Sequence, residues 1–361
     1  MEILVTGATG LVGAEVAARL VGASHRVRGL AHRADRVVRN DGRVLAESDH
    51  GPRLISGDVT RPRFGLAASE WAELATSVDR IVHCAAATDF GRPDALYEAV
   101  NVGGTRHALE LAAESGAPLV HVSTAYVCGE RSGVITETEL DVGQRMGNAY
   151  ESSKLRAETL VRKAAADGLP VAVVRPSIVV GASRTGVVRE FKNIYVVLRL
   201  TTQGRVRSVP GHFDALLDLV PVDHVADVVA EAATRFADAE GRTLHATAGG
   251  LTLRELSDVL AEFPSFHVPR FVAPSAFDPA RLPETERAYH TKVISLYESY
   301  FQRRPTFDRT ATDEFLPGSR PVARPAFLRR LLGHALRAGY LGPPLVDVDQ
   351  VLAGLGAAAA R

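Results

Sequence analysis

The sequence predicts an α/β protein: a doubly wound parallel sheet with a smaller, mostly helical region toward the C-terminus. Three observations carry that prediction. Short β-rich runs alternate with longer helical patterns through the first half of the chain. The runs are apolar on both faces, as strands covered by helices on each side must be. Three glycines stand at the first strand-to-helix turn, where such a sheet makes a close helix contact.

Composition sets the outer limits. The 361 residues are 46% hydrophobic and 23% charged, enough for one large α/β unit plus a substantial accessory region. The 42 Lys and Arg residues balance the 42 Asp and Glu residues, so no global charge favours nucleic acid or an anionic membrane surface. No apolar run reaches the roughly 18 residues needed to span a bilayer, and "MEILVTG" is not a signal peptide. A cytoplasmic location is expected. Cys84 and Cys128 belong to no metal-spaced set and read as buried free thiols in a reducing compartment.

The elements follow in order. "EILVTG" is the first strand, and "VTGATGLVG" places Gly7, Gly10 and Gly13 three residues apart before the helix "GLVGAEVAARLVG". Glycines there allow a tight turn and let backbone N–H groups approach a pyrophosphate, with Thr9, Leu11 and Val12 in the same turn. The second strand, "HRVRGLAH", is followed by His32, Arg33 and Arg36 with only Asp35 between them. An NAD site usually offers a carboxylate there, whereas a guanidinium suits a phosphate, so NADPH is expected over NADH. The plainer alternative is a pair of solvated arginines. After the third strand, "PRLISGDV" supplies Asp58 and Val59 toward the adenine.

"DRIVHCAA" and "PLVHVSTAYV" are the fourth and fifth strands, separated by the helix "NVGGTRHALELAAESG". "VAVVRPSIVVG" is the sixth, and "TLHATAGG" resumes the sheet after the helix "DHVADVVAEAATRFA". The dinucleotide-binding part is therefore expected over 1–181 and 215–250, and a substrate-binding region over 182–214 and 251–361. Prolines break the latter into short helices, and the alanine-rich end reads as a frayed helix.

"NAYESSK" sets Tyr150 four residues before Lys154, on one helix face. Eight tyrosines and four lysines in this chain would give ~0.09 such pairs by chance. A nearby ammonium is expected to lower the pKa of the phenol, making Tyr150 a proton donor to a carbonyl oxygen that receives hydride. "HVSTAYVCG" offers Thr124, or second Ser123, as a hydroxyl polarising the same oxygen.

In the order "TGATGLVG", "GDVT", "HCAAATDF", "NVGGT", "STAYV", "NAYESSK" and "VVRPSIVVG", the chain resembles the extended short-chain dehydrogenase/reductase superfamily over about residues 1–250. The resemblance implies a Rossmann-type fold, a nicotinamide cofactor, and Thr124, Tyr150 and Lys154 in catalytic roles. It also implies that Ala85, Ala86 and Ala87 border the cofactor groove. Asn101 supports the site, and Pro176, Ser177 and Ile178 pass near the nicotinamide. Within the superfamily, "HCAAATDF" with Phe90, "HVSTAYV", "GASRTG" with "LLDLVPVDHVADVV", and "YESYFQRRPTFD" are similar to the thioester reductase and fatty acyl reductase branch. That branch implies NADPH-dependent reduction of an acyl thioester to an aldehyde, and on to an alcohol by a second hydride.

No adenylation or carrier segment is recognisable, so the acyl group is expected to arrive on coenzyme A or a separate carrier protein. Arg184, Arg189, Lys192, Arg199, Arg205 and Arg207 form one basic run, and Arg320, Arg324, Arg329, Arg330 and Arg337 another. Either a docking surface for an anionic carrier or a solvated arginine face fits them. Monomer and homodimer are both open.

The rivals are a carbonyl reductase or hydroxyl dehydrogenase, a sugar-nucleotide epimerase, and an NADP-binding sensor or scaffold that lacks turnover. Ala125 and Tyr126 stand where a dehydratase would need carboxylates. The 12 histidines show no paired ligand spacing, so no metal is expected, and no GxSxG elbow marks a hydrolase. His224 reads as structural or at the substrate mouth, and Asp223 as the cap of the helix that follows it.

Overall fold

The computed structural model of the chain describes residues 1–45, 51–321 and 324–342. The strands of the two larger sheets are β1 (Glu2–Thr6), β2 (Arg26–Ala31), β3 (Arg53–Ser56), β4 (Arg80–His83), β5 (Leu119–Val122), β6 (Val171–Pro176), β7 (Ile178–Val180), β8 (Leu216–Pro221), β9 (Thr243–Ala246) and β10 (Gly250–Thr252). Seven of them form one sheet in the order β9-β6-β5-β4-β1-β2-β3, and every pair is parallel. The expected segment "VAVVRPSIVVG" divides at Ser177: β6 stays in the large sheet, while β7 joins β8 and β10 in a smaller one.

The principal helices are α1 (Leu11–Gly22), α2 (Ala68–Ser77), α3 (Gly104–Ser115), α4 (Ala149–Ala166), α5 (Ile194–Thr202), α6 (Val222–Thr234), α7 (Leu253–Ala261), α8 (Glu284–Lys292) and α9 (Pro325–Arg337). Successive side chains leave a strand on opposite faces, so each apolar strand serves two cores. Ile3, Val5, Val82, Val120 and Val174 pack with α1 and α6 on one side. Leu4, Ile81, Leu119 and Val173 pack with α2, α3 and α4 on the other. A third core joins β8, α5, α7 and α9 to Tyr126 and to Tyr297–Phe301.

The region after residue 251 is less purely helical than its proline-broken pattern suggests. Pro305–Phe307 pairs with Gly133–Ile135, and Arg270–Val272 with Ser208–Pro210. The alanine-rich end, residues 354–361, lies outside the described residues.

Asp223 does not cap α6. Pro221 occupies the cap and the helix begins at Val222, so the Asp223 carboxylate sits inside the first turn. It accepts from the Ser183 N–H at 3.0 Å and the Ser183 hydroxyl at 2.6 Å, tying the segment after β7 to α6. His224 is buried and its ring bonds Ser319 at 3.1 Å, a structural place.

The sheet breaks its apolar rule in a buried polar band: Thr6, His83 and His121 stand opposite one another on neighbouring strands, and Arg175 stands opposite His245 two residues further along. Arg175 is the largest charge among them. Its guanidinium bonds both Glu158 carboxylate oxygens, at 2.6 and 3.0 Å, and the Glu139 carbonyl at 2.7 Å. Breaking one side of such a buried pair strands the other charge. Arg175→Met is therefore expected to lower stability by about 3–5 kcal/mol in urea unfolding; a loss under about 1 kcal/mol would show that Glu158 finds another partner.

Candidate functional site

The loops at the C-terminal ends of β1, β4, β5 and β6 meet around one cavity of about 260 Å³. Gly7 turns the chain out of β1 with φ +66°, a conformation that side chains rarely adopt. A Cβ at Gly7 would lie 2.8 Å from the Ala85 backbone nitrogen, and one at Gly13 only 2.1 Å from the Gly7 carbonyl oxygen. Turn, helix start and the end of β4 are thus pressed together, leaving room and N–H groups for a pyrophosphate. The residues fit a nicotinamide dinucleotide. Gly7, Gly10, Leu11, Val12, Gly13 and Ala86 line the cavity. Thr9 lies in the same turn. The Ala85 N–H donates to the Thr6 hydroxyl at 3.3 Å.

Asn101 locks the next stretch in place. Its Oδ1 accepts from the Ala87 N–H at 2.7 Å, and its Nδ2 donates to the Ser153 hydroxyl at 2.8 Å, joining the end of β4 to α4. At the start of α4, the Asn148 side chain accepts from the Glu151 N–H at 2.9 Å, which fixes where the helix begins. Tyr150 therefore falls in the first turn, at the cavity wall, and Lys154 one turn deeper.

Thr124 lines the cavity with Tyr150. The Thr124 hydroxyl donates to the Pro176 carbonyl at 3.2 Å, so β5 and β6 together aim it. Ser123 is buried and does not line the cavity. Ser177 and Ile178 line the cavity, and Ser177 is held by Asp218 at 2.6 Å.

The expected influence of Lys154 on Tyr150 is corrected. Burial pushes the Tyr150 phenol above its ordinary pKa, and the Thr124 hydrogen bond opposes that only in part. Lys154 is itself buried and donates to the Val122 carbonyl at 2.8 Å. Desolvation lowers its pKa to about 8, with Glu158 working the other way. Proximity in sequence places both groups on one face, but the protein interior decides their protonation. Tyr150 holds its proton at neutral pH.

One wall of the cavity is aromatic. Phe90 stacks on Tyr297 at 4.9 Å and lies 5.7 Å from Tyr150. Tyr300 lies 4.8 Å from Tyr126, and Phe301 and Tyr195 complete the wall. Glu190 and Lys192 stand in the same wall and pair with each other at 2.9 Å. Tyr297, Tyr300 and Phe301 belong to the third core and also line the cavity.

After β2, His32, Arg33 and Arg36 are exposed. His32 lies 3.5 Å from Asp58, which accepts from the Thr60 N–H at 2.9 Å, and Val59 packs against Gly104. The two basic runs are largely engaged within the molecule. Arg189 donates to the Thr9 carbonyl at 2.8 Å, Arg330 to the Ser183 carbonyl at 3.0 Å, and Arg329 pairs with Glu262. Cys128 is buried, while Cys84 is partly exposed in the cavity wall; burial pushes its thiol up to about 12. Among the described residues no cluster of side chains could hold a metal, and no helix is long and apolar enough to cross a membrane.

Two features escaped the sequence. Arg189 was visible only as one charge in a run, yet it is the side chain that reaches the glycine turn. Arg303 forms a buried pair with Glu151, beside Tyr150, at 2.6 Å. The one hint was an acidic residue directly after the tyrosine.

A family model described as male sterility protein, of the NAD-binding kind, matches residues 5–229. Glycine betaine reductase ATRR of Emericella nidulans is 35% identical over 191 residues, 51% of this chain and 15% of that protein. An isonitrile lipopeptide synthase of Streptomyces coeruleorubidus is 32% identical, over 63% of this chain and 16% of that one. The chain thus spans less than a fifth of the length of these relatives. The crystal structure of the terminal R domain from the myxalamid PKS-NRPS pathway superposes with a TM-score of 0.81 at 27% identity, covering 95% of this chain and 92% of that one. A UDP-galactose 4-epimerase, at 18% identity and a TM-score of 0.64 over 94% of this chain and 99% of that one, shares the fold.

A methyl group at position 13 has no space against the Gly7 carbonyl. Gly13→Ala is expected to weaken cofactor binding more than tenfold in a fluorescence titration; native affinity would show that the turn is not the phosphate site.

Proposed function

The chain belongs to the NAD-binding family described as male sterility protein, and from that membership we propose that it reduces an acyl thioester with NADPH, releasing an aldehyde and a free thiol. It is an NAD(P)-dependent oxidoreductase of the short-chain dehydrogenase/reductase type. The observation that carries the proposal is the placement of the Thr124 and Tyr150 hydroxyls in one cavity, between the glycine turn and an aromatic wall.

When bound, NADPH supplies the hydride to the thioester carbonyl carbon. Charge then develops on the carbonyl oxygen, and the chain's work is to meet it. Tyr150, protonated because burial raises its pKa, donates to that oxygen, while Thr124 offers a second hydroxyl held by Pro176. The hemithioacetal so formed collapses as the carbon–sulfur bond breaks: the electron pair leaves with sulfur, the hydroxyl proton is given up, and the carbonyl re-forms. Lys154 keeps a positive charge below pH of about 8 under the same site, and Glu158 sustains it. The aromatic wall excludes water from these steps.

Residues 1–181 and 215–250 carry cofactor binding in this proposal, and the remainder carries acyl recognition. The acyl carrier is coenzyme A or a carrier protein. The neighbouring solved structures include a thiolation-reductase di-domain, 19% identical, whose likeness concerns the fold. Arg33 and Arg36, exposed beside the adenosine end, favour NADPH.

The test is cofactor oxidation at 340 nm with acyl-CoA and acyl-pantetheine thioesters beside the matching aldehydes. Oxidation with thioesters and release of thiol is expected, and Tyr150→Phe should lower kcat at least a hundredfold while cofactor affinity changes less than twofold. Oxidation with aldehydes or ketones alone would make the protein a carbonyl reductase. Arg33→Ala is expected to raise Kd for NADPH about tenfold and to leave that for NADH unchanged; equal losses would remove the 2′-phosphate assignment.

A further inference from the structure

Arg303 follows the aromatic segment that walls the cavity, and it is only 2% exposed. Its guanidinium lies against two rings of that wall, 4.5 Å from the centre of Tyr126 and 4.0 Å from that of Tyr300. One end nitrogen donates to Glu151 at 2.6 Å, and the other to the Gly129 carbonyl at 2.5 Å and to Glu151 at 3.3 Å. Glu151, fully buried, also accepts from the Gly147 N–H at 2.9 Å. Glu151 is the residue after Tyr150. A single side chain from the C-terminal region thus grips the first turn of α4, the loop after β5 and two aromatic rings.

Burying an ion pair costs more desolvation than apolar side chains of the same volume would, so stability alone does not call for one here. What a guanidinium adds is direction. Its planar fork fixes two acceptors and two ring faces at once, which neither a hydrophobic residue nor an ammonium does.

We propose that Arg303 and Glu151 are positioning residues for the reaction: they hold the Tyr300 side of the acyl wall in register with Tyr150, so that a carbonyl seated against the wall meets the phenol. The inference rests on the reductase reading for its substrate and on this geometry for its mechanism. Burial raises the Tyr150 pKa, and the Glu151 charge adds to that rise.

The experiment uses the full chain with Arg303→Lys, Arg303→Met and the double variant Glu151→Gln with Arg303→Met. Arg303→Met alone strands a buried carboxylate and is expected to lower Tm. The double variant removes both charges and is expected to return Tm to within a few degrees of the native value. If the pair positions the site, kcat in the double variant and in Arg303→Lys stays at least tenfold below native, with the Kd for NADPH within twofold. Amide exchange over residues 148–152 and 299–302 then quickens by a similar factor. A merely structural pair predicts that kcat returns together with Tm; that result, or full activity in Arg303→Lys, overturns the proposal. Should the native protein reduce no thioester, the reductase reading fails, and the exchange measurement still decides the positioning: unchanged protection in the double variant would overturn it.

Discussion

Every strand of the large sheet runs in one direction, so each crossover must return the chain to the same edge before the next strand can start. That constraint gathers the turn after β1, the end of β4, the end of β5 and the break after β6 at one place. Gly7, Ala86, Thr124 and Ser177 are far apart in the chain and share a cavity because of it. The order of the strands, with β4 in the middle and β1 beside it, puts the glycine turn next to the end of β4.

Helix α4 answers the edge from the side, and its buried charges are what fasten it. Lys154 reaches the Val122 carbonyl, Glu158 takes Arg175 from β6, and Glu151 takes Arg303 from the C-terminal region. Three ionic groups at positions 151, 154 and 158 point inward because one face of the helix is packed against the sheet and the aromatic wall. Each costs desolvation, and each is matched by directed hydrogen bonds. The same low-water setting keeps Tyr150 protonated and depresses the pKa of Lys154.

Much of this was legible in advance. Gly7 and Gly13 announce a turn because only glycine tolerates the backbone of the first and the contacts of both. Tyr150 and Lys154 announce one helix face because their spacing is one turn. Local rules of this kind survive folding. The pKa of Tyr150 did not follow from the spacing, because desolvation is a property of everything packed around it. Asp223 read as a cap since its type suits that position, but Pro221 had already taken the place, and the carboxylate turned to Ser183.

By itself, the sequence determined the parallel α/β plan, the glycine turn after the first strand and the shared helix face of Tyr150 and Lys154, since periodicity and short spacings encode strands, helices and a shared face. Tertiary structure alone decided which aromatic residues face the cavity, that Arg189 reaches the glycine turn, and that Arg303 sits against Glu151. Those contacts join residues 152 and 180 positions apart, and no local pattern specifies a partner at such a distance; it is set by where the packed elements bring the chain.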